Sequence, residues 1–211
     1  MYKKKFFFIV FEGVEGTGKS FQINKLFNQL KKYKIPIIKT REPGGSATAE
    51  KIRNLIFGKK NNQFDKLTDY YLMLASRNEH IKKTLITAKK KKQIVICDRF
   101  TDSTYAYQVI GKNIDKKLNE VNKKYILGSI KPNLTIILKS TIKSVSQRIK
   151  KRKIKNKFDK LDKNFYIKAQ KTFIKIAKTR KNYFVFDSSA NDNLLEKKIF
   201  KIIKNKLGLK Y

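Results

Sequence analysis

Between Phe11 and Ser20 the chain reads FEGVEGTGKS, spending three of its nine glycines just ahead of a Lys–Ser pair. The spacing Gly13-x-x-x-x-Gly18-Lys19-Ser20 matches a loop that wraps a phosphate chain. Glycines at 13, 16 and 18 let the backbone pass through positive φ and bring its N–H groups up to an anion, with Val14, Glu15 and Thr17 between them. A helix that starts at Ser20 aims its partly positive N-terminus at the same point. Lys19 then reaches the β- and γ-phosphates of a nucleoside triphosphate, and the Ser20 hydroxyl serves as a ligand to Mg²⁺. On this reading Lys19 stands on an exposed loop, indispensable to chemistry and of little weight in folding.

Four further strings carry side chains suited to phosphates and nucleotides. QIVICDRF puts Asp98 at the end of an apolar run, where a carboxylate can orient a metal or its waters, or simply cap a helix. Arg99 beside it can grip a phosphate with two parallel N–H groups, or pair with Asp98 or Glu12. TREPGG places Arg41 and Glu42 at a strand end before a forced turn, and MLASRNEH sets Met73, Arg77 and His80 along a helix face. His80 reads as a hydrogen-bonded structural or surface group rather than a base. DRFTDSTYAYQ follows Asp98 with Ser103, Thr104, Tyr105, Tyr107 and Gln108, a set that suits a sugar and a nucleobase but also suits packing. Cys97 reads as a small buried apolar residue.

Strands must deliver these strings, and helices must separate them. Apolar, β-rich runs predict strands at Phe6–Phe11, Ile35–Thr40, Gln93–Cys97, Asn133–Leu138 and Tyr183–Phe186. Helical periodicity predicts helices over Ser20–Tyr33, Ala47–Phe57, Thr68–Ala88, Ile114–Gly128 and about Leu194–Lys206, with one more after strand four and a further one leading into strand five. Lys150–Lys157 is Lys-rich and lacks an apolar period. Alternating strands and helices imply an α/β fold of three layers, the P-loop NTPase fold, with a five-stranded parallel sheet covered on both faces. In such a sheet ligands sit beyond the carboxyl ends of the strands, where the motif-bearing loops fall.

The 211 residues suffice for one domain over 1–211, and neither a linker nor an internal repeat divides them. No run could span a bilayer, the apolar N-terminal run is too short and too soon interrupted for a signal peptide, and one cysteine excludes a disulfide framework. A cytoplasmic location is expected. The net charge of +36 rests on 45 lysines against seven arginines. It raises the reading of a nucleic-acid-binding P-loop ATPase. The lysines are spread over nearly every surface segment, however, and Lys, Asn, Ile, Phe and Tyr together are the residues of AT-rich codons, so nucleic acid is not the expected partner.

Taken together, FEGVEGTGKS (11–20), TREPGG (40–45), MLASRNEH (73–80), CDRFTDSTYAYQ (97–108) and FDSS (186–189) resemble the thymidylate kinase family. The likeness runs over residues 5 to 207 in the family's order. The phosphate loop is shared by many ATPases, whereas TREPGG combined with AYQ is specific. The resemblance implies transfer of the γ-phosphoryl of ATP to dTMP, with Mg²⁺, in a homodimer formed through long helices. Gly16, Gly18, Lys19 and Ser20 would hold ATP and the metal, with Asp98 near the metal waters. Arg41 and Arg99 would hold the dTMP phosphate, Arg77 and Thr104 would face thymine, and Glu15, Tyr107 and Gln108 would lie by the deoxyribose. Arg148 would lean on adenine, with Ser188 and Ser189 on its other edge. Departures are Met73 where the family usually has a stacking Phe, Lys139 for a frequent Asp, Lys157 for a lid Arg, and Glu15 for an Arg in the loop. Catalytic positive charge would then come from a short basic lid at about 150–160, chiefly from Arg152 and in smaller measure from Lys157. A different nucleotide kinase is the nearest rival reading.

Overall fold

The computed structural model describes residues 5–58, 64–151, 157–160, 162–190 and 194–209. Among these, five strands form one parallel sheet in the order β2-β3-β1-β4-β5, with β1 (Phe7–Glu12), β2 (Ile37–Arg41), β3 (Ile94–Asp98), β4 (Leu134–Lys139) and β5 (Tyr183–Asp187). Central β1 is buried along its whole length, which is why it reads as an unbroken apolar run up to Glu12. Its side chains alternate between two cores. Phe7, Ile9 and Phe11 pack under α1 (Lys19–Lys31) and α9 (Leu194–Leu207), whereas Phe8 and Val10 pack with Val95, Cys97 and Phe100 on the other face.

The remaining helices are α2 (Ala47–Phe57), α3 (Lys66–His80), α4 (Ile86–Lys90), α5 (Thr101–Thr104), α6 (Lys116–Leu127), α7 (Ile142–Lys150) and α8 (Lys163–Lys178). The chain leaves β1 toward β2 on one side and reaches β4 and β5 on the other, so β1 sits where the strand order reverses. Crevices at such points are where α/β sheets take their ligands.

Three expectations need correction. Thr68–Ala88 is not one regular helix: π-helical turns at Ile81–Leu85 join α3 to α4. These turns seat Ile81 and Leu85 in the core while Thr84 Oγ1 donates to Gly45 O at 2.6 Å. β2 starts at Ile37 because Pro36 has no N–H to give the ladder; its carbonyl accepts from Ile94 instead. Residues after Arg99, assigned no element above, form α5 and continue as π-helical turns through Tyr105–Ile110. Ser and Thr compete for backbone bonds and read as turn formers. The start of α5 also has no local side-chain cap, being held from β1.

Candidate active site

The loop between β1 and α1 is buried rather than exposed: Val14, Glu15 and Thr17 are all under 6 % accessible and Lys19 is at 7 %. Gly13 is obligatory there, since a Cβ would stand 2.3 Å from the Leu138 carbonyl oxygen. Lys19 Nζ donates to the Gly13 and Val14 carbonyls at 2.9 and 3.0 Å, while Thr17 Oγ1 donates to Val14 O. Burial, with the Arg99 charge second, pulls the Lys19 ammonium down to about 8. Anions beside Nζ act in the opposite sense.

Ser20 Oγ donates to Asp98 Oδ2 at 3.2 Å, so α1 and β3 bring these two together as expected. Asp98 Oδ1 is buried and has no hydrogen-bond partner. A buried carboxylate oxygen without a donor calls for a cation or ordered water. One carboxylate plus a hydroxyl fits Mg²⁺, which keeps much of its shell as water and phosphate oxygen.

Arg99 sits at φ 73°, in the left-handed region that a side chain rarely adopts. It pairs with neither Asp98 nor Glu12. Its Nη2 meets Glu15 Oε1 at 2.6 Å and its Nη1 donates to Ser103 Oγ. Tyr107 OH donates to the other Glu15 oxygen at 2.5 Å. Burial alone would raise the Glu15 carboxyl, but Arg99 first, then Lys19 and the Tyr107 hydroxyl, hold it below the usual range. Burial likewise opposes the Arg99 charge, and Glu15, with Tyr107, Asp98 and Glu12 behind it, more than restores it. The acidic residue of the phosphate loop is thus neutralised by the arginine that follows Asp98.

Glu42, the acid of TREPGG, anchors α3. It accepts from Arg77 Nε at 2.7 Å and bonds the His80 ring at 2.8 Å, while His80 Nε2 meets Thr40 Oγ1. Burial works against its charge, but Arg77 and His80 keep the carboxyl low. A Cβ on Gly45 would lie 2.6 Å from the His80 ring, so this turn can close on the histidine only as glycine. Arg77 Nη2 also donates to Phe100 O, which leaves N–H donors of the fork for a ligand.

Met73, Arg77, Thr104, Tyr107 and Gln108 line one cavity, closed by Phe100 and Phe158. Gly16, Gly18, Lys19, Ser20 and Asp98 line an adjoining cleft together with Arg41 and Arg53. Glu15, Glu42 and Arg99 line both. Arg41 therefore belongs to the phosphate cleft, not to the cavity of the other acceptor-site candidates; half exposed, it pairs with Glu50 at 3.0 Å. Arg148 Nη1 donates to Gly16 O and its Nη2 to Ser188 O at 2.7 Å, tying the loop to the turn after β5. Ser189 Oγ accepts from Thr141 N. Lys139, the departure without a reading above, pairs with Asp187 at 3.4 Å. Arg152 and the side chain of Lys157 lie outside the described residues; Lys157–Lys160 backbone forms a single 3₁₀ turn.

Sequence reasoning missed Arg53, Glu42 as an anchor, Phe158 and Glu12. Arg53 Nη1 donates to Pro43 O at 2.7 Å, and burial, then Arg41, lowers its pKa. The scarcity of arginine among 52 basic residues was the signal that could have found it. Glu12, fully buried, accepts from Phe100 N, Ser103 N and Ser103 Oγ. Burial, then the Asp102 charge, pushes its carboxyl up to about 8.

A glycine-lined phosphate loop between the central parallel strand and a helix, facing a second carboxylate on β3, defines a P-loop NTPase fold. The comparisons specify it further. The family model described as thymidylate kinase matches residues 11–199. A thymidylate kinase of Wolbachia pipientis is 40% identical over 173 residues, covering 81% of this chain and 84% of the relative. One from an aster yellows witches'-broom phytoplasma is 38% identical over 208 residues, covering 95% and 96%. The crystal structure of thymidylate kinase from Ehrlichia chaffeensis superposes with a TM-score of 0.77 at 29% identity, covering 94% of this chain and 99% of that one. The chain belongs to the thymidylate kinase family.

Proposed function

We propose that the chain transfers the γ-phosphoryl of ATP to dTMP, giving ADP and dTDP for DNA precursor synthesis. The observation that carries this reading is the sharing of Glu15, Glu42 and Arg99 by the phosphate cleft and the Met73–Tyr107 cavity. Two anionic substrates held in the two hollows meet at Arg99. In-line transfer asks for this placement and for positive charge between the phosphates, and for little covalent chemistry.

Gly13, Val14, Glu15, Gly16, Thr17 and Gly18 form the cradle for the ATP phosphates, and Lys19 leaves the loop carbonyls to meet them. Mg²⁺, when bound, offsets charge on the β- and γ-oxygens. Ser20 and Asp98 would hold it, directly or through water. Arg148 and the Ser188–Ser189 turn border the adenine. In the cavity, Met73 lies against the thymine, Arg77, Thr104 and Gln108 supply its polar contacts, and Tyr107 packs by the deoxyribose. Arg99 bridges to the dTMP phosphate, and Arg41 and Arg53 add charge from the cleft wall. Arg152 and Lys157 supply the lid's share.

The domain comprises 1–211 as one unit, works in the cytoplasm and pairs as a homodimer. Support for pairing is the exposure of Leu67 and Tyr71 on α3 and of Val121 and Tyr125 on α6, two helices packed together. Each pair is spaced i,i+4 and so shares a face. An ADP-release assay with ATP, Mg²⁺ and a panel of dTMP, dUMP, dCMP, dGMP, GMP, thymidine and DNA tests the reading. Preference for dTMP is expected; turnover stimulated by DNA alone would overturn it.

A further inference from the structure

Lysine outnumbers arginine 45 to seven in this chain, so a guanidinium marks a place where an ammonium does not serve. Arg41, Arg53, Arg77 and Arg99 line the cleft or the cavity, Arg148 joins the loop to the β5 turn, and Arg152 lies outside the described residues. The seventh, Arg180, lines neither. It follows α8 and borders a separate hollow between α6 and α8.

Arg180 Nη1 donates to Asp102 Oδ1 at 3.0 Å and to Tyr183 OH at 2.9 Å, and Tyr183 OH donates to Asp102 Oδ2 at 2.9 Å. Both oxygens of Asp102, which is 4 % exposed, are engaged. Burial and then the Asp102 charge push the Tyr183 phenol up to about 12, so it stays a donor. Both bonds leave the one nitrogen Nη1, whose two N–H groups point in fixed directions in the guanidinium plane; a lysine ammonium has donors enough but holds them on a shorter, freely rotating group.

Asp102 lies in the first turn of the 101–110 segment, directly before Ser103 and Thr104 and one turn before Tyr107. Glu12 holds the backbone of that turn from β1. The side chains of Ser103 and Tyr107 are held on the loop side by Glu12, Arg99 and Glu15. The Asp102 clamp, built from the turn after α8 and from β5, is a further anchor on the same first turn, made from a different part of the fold. We infer that Arg180 is a positioning residue for phosphoryl transfer, which sets through Asp102 and Tyr183 the orientation of Thr104, Tyr107 and Gln108 toward the acceptor nucleotide. This rests on the reading of the cavity as the dTMP site.

Steady-state kinetics of Arg180→Lys, Arg180→Gln and Tyr183→Phe, with thermal unfolding of each, test it. Arg180 is partly exposed, so the variants are expected to fold, and Arg180→Lys also keeps the charge. A small rotation of contact groups is costly, so KM for dTMP should rise about tenfold in Arg180→Gln. KM for ATP should stay within about twofold, because the loop stands on β1 and α1. Arg180→Lys should recover only part of the loss, and Tyr183→Phe should shift the same parameter by less. A residue of merely structural weight would lower the melting temperature and the active fraction and leave both KM values alone; that result overturns the inference, as does a wild-type KM for dTMP in Arg180→Gln. If the wild-type protein fails to phosphorylate dTMP, the acceptor assignment falls first and the inference with it.

Discussion

At the scale of residues, the site is a chain of buried charges that hold one another. Lys19 is charged against the cost of burial and rests on two loop carbonyls, so its removal deletes little native stabilisation. Lys19→Ala should lower kcat by about 10³ or more while the melting temperature changes by only a few degrees, the loss expected for a charge that compensates the transferring phosphoryl. Near-normal turnover in a folded variant would reject the phosphate-loop assignment. Glu12 makes a second prediction. Its folded carboxyl titrates near 8 against an ordinary 4.5, so the folded state binds the extra proton between those values. The stabilising contribution is complete below pH 4.5 and is lost as pH rises toward 8. Glu12→Gln cannot lose a proton, so its stability relative to wild type should improve from pH 5 to pH 8, by at most about 1.4 kcal/mol per pH unit. Urea unfolding at several pH values reads this directly; a constant difference would mean that Glu12 is ionised throughout.

At the scale of elements, β1 and the loop after it were legible because burial on both faces writes a continuous apolar run and the glycine spacing is rigid. β3 and β4 follow from the same logic, whereas the edge strands β2 and β5 are only half buried and were legible from their β-rich residues alone. The 101–110 segment was not legible as helix, since its N-terminus is capped by Glu12 from 88 residues away and its first turn by Arg180 from 78 away. Local sequence carries no sign of either. The pairing of Arg99 with Glu15 was hidden for the same reason, and the π-helical turns after His80 break a period that the residues themselves keep. The basic stretch at 150–157 supplies a prediction of its own. Arg152→Ala should lower kcat more than it raises KM for dTMP, since a lid contact forms fully only on closure. Lys157→Ala should cost less, and Lys157→Arg should be neutral or faster. If Lys157→Ala abolishes turnover while Arg152→Ala leaves it intact, the two roles are exchanged.

At the scale of the molecule, a net charge of +36 raises the concentration of anionic nucleotides around the protein. kcat/KM should therefore fall as salt rises, and fall for every nucleotide alike. Among the described residues no helix is long and apolar enough to cross a membrane. The exposed α3 and α6 aromatics supply a prediction for assembly. In sedimentation the wild-type protein should run at twice the 24.8 kDa chain mass, and Tyr71→Glu with Tyr125→Glu should run at that mass. A monomeric wild type would place those side chains in some other role. The central claim is direct transfer between two nucleotides that meet at Arg99. It is tested by chromatographic measurement of both products from ATP, Mg²⁺ and dTMP. One dTDP is expected for each ADP, with no ADP in the absence of an acceptor beyond a slow leak. ADP without matching dTDP would contradict it.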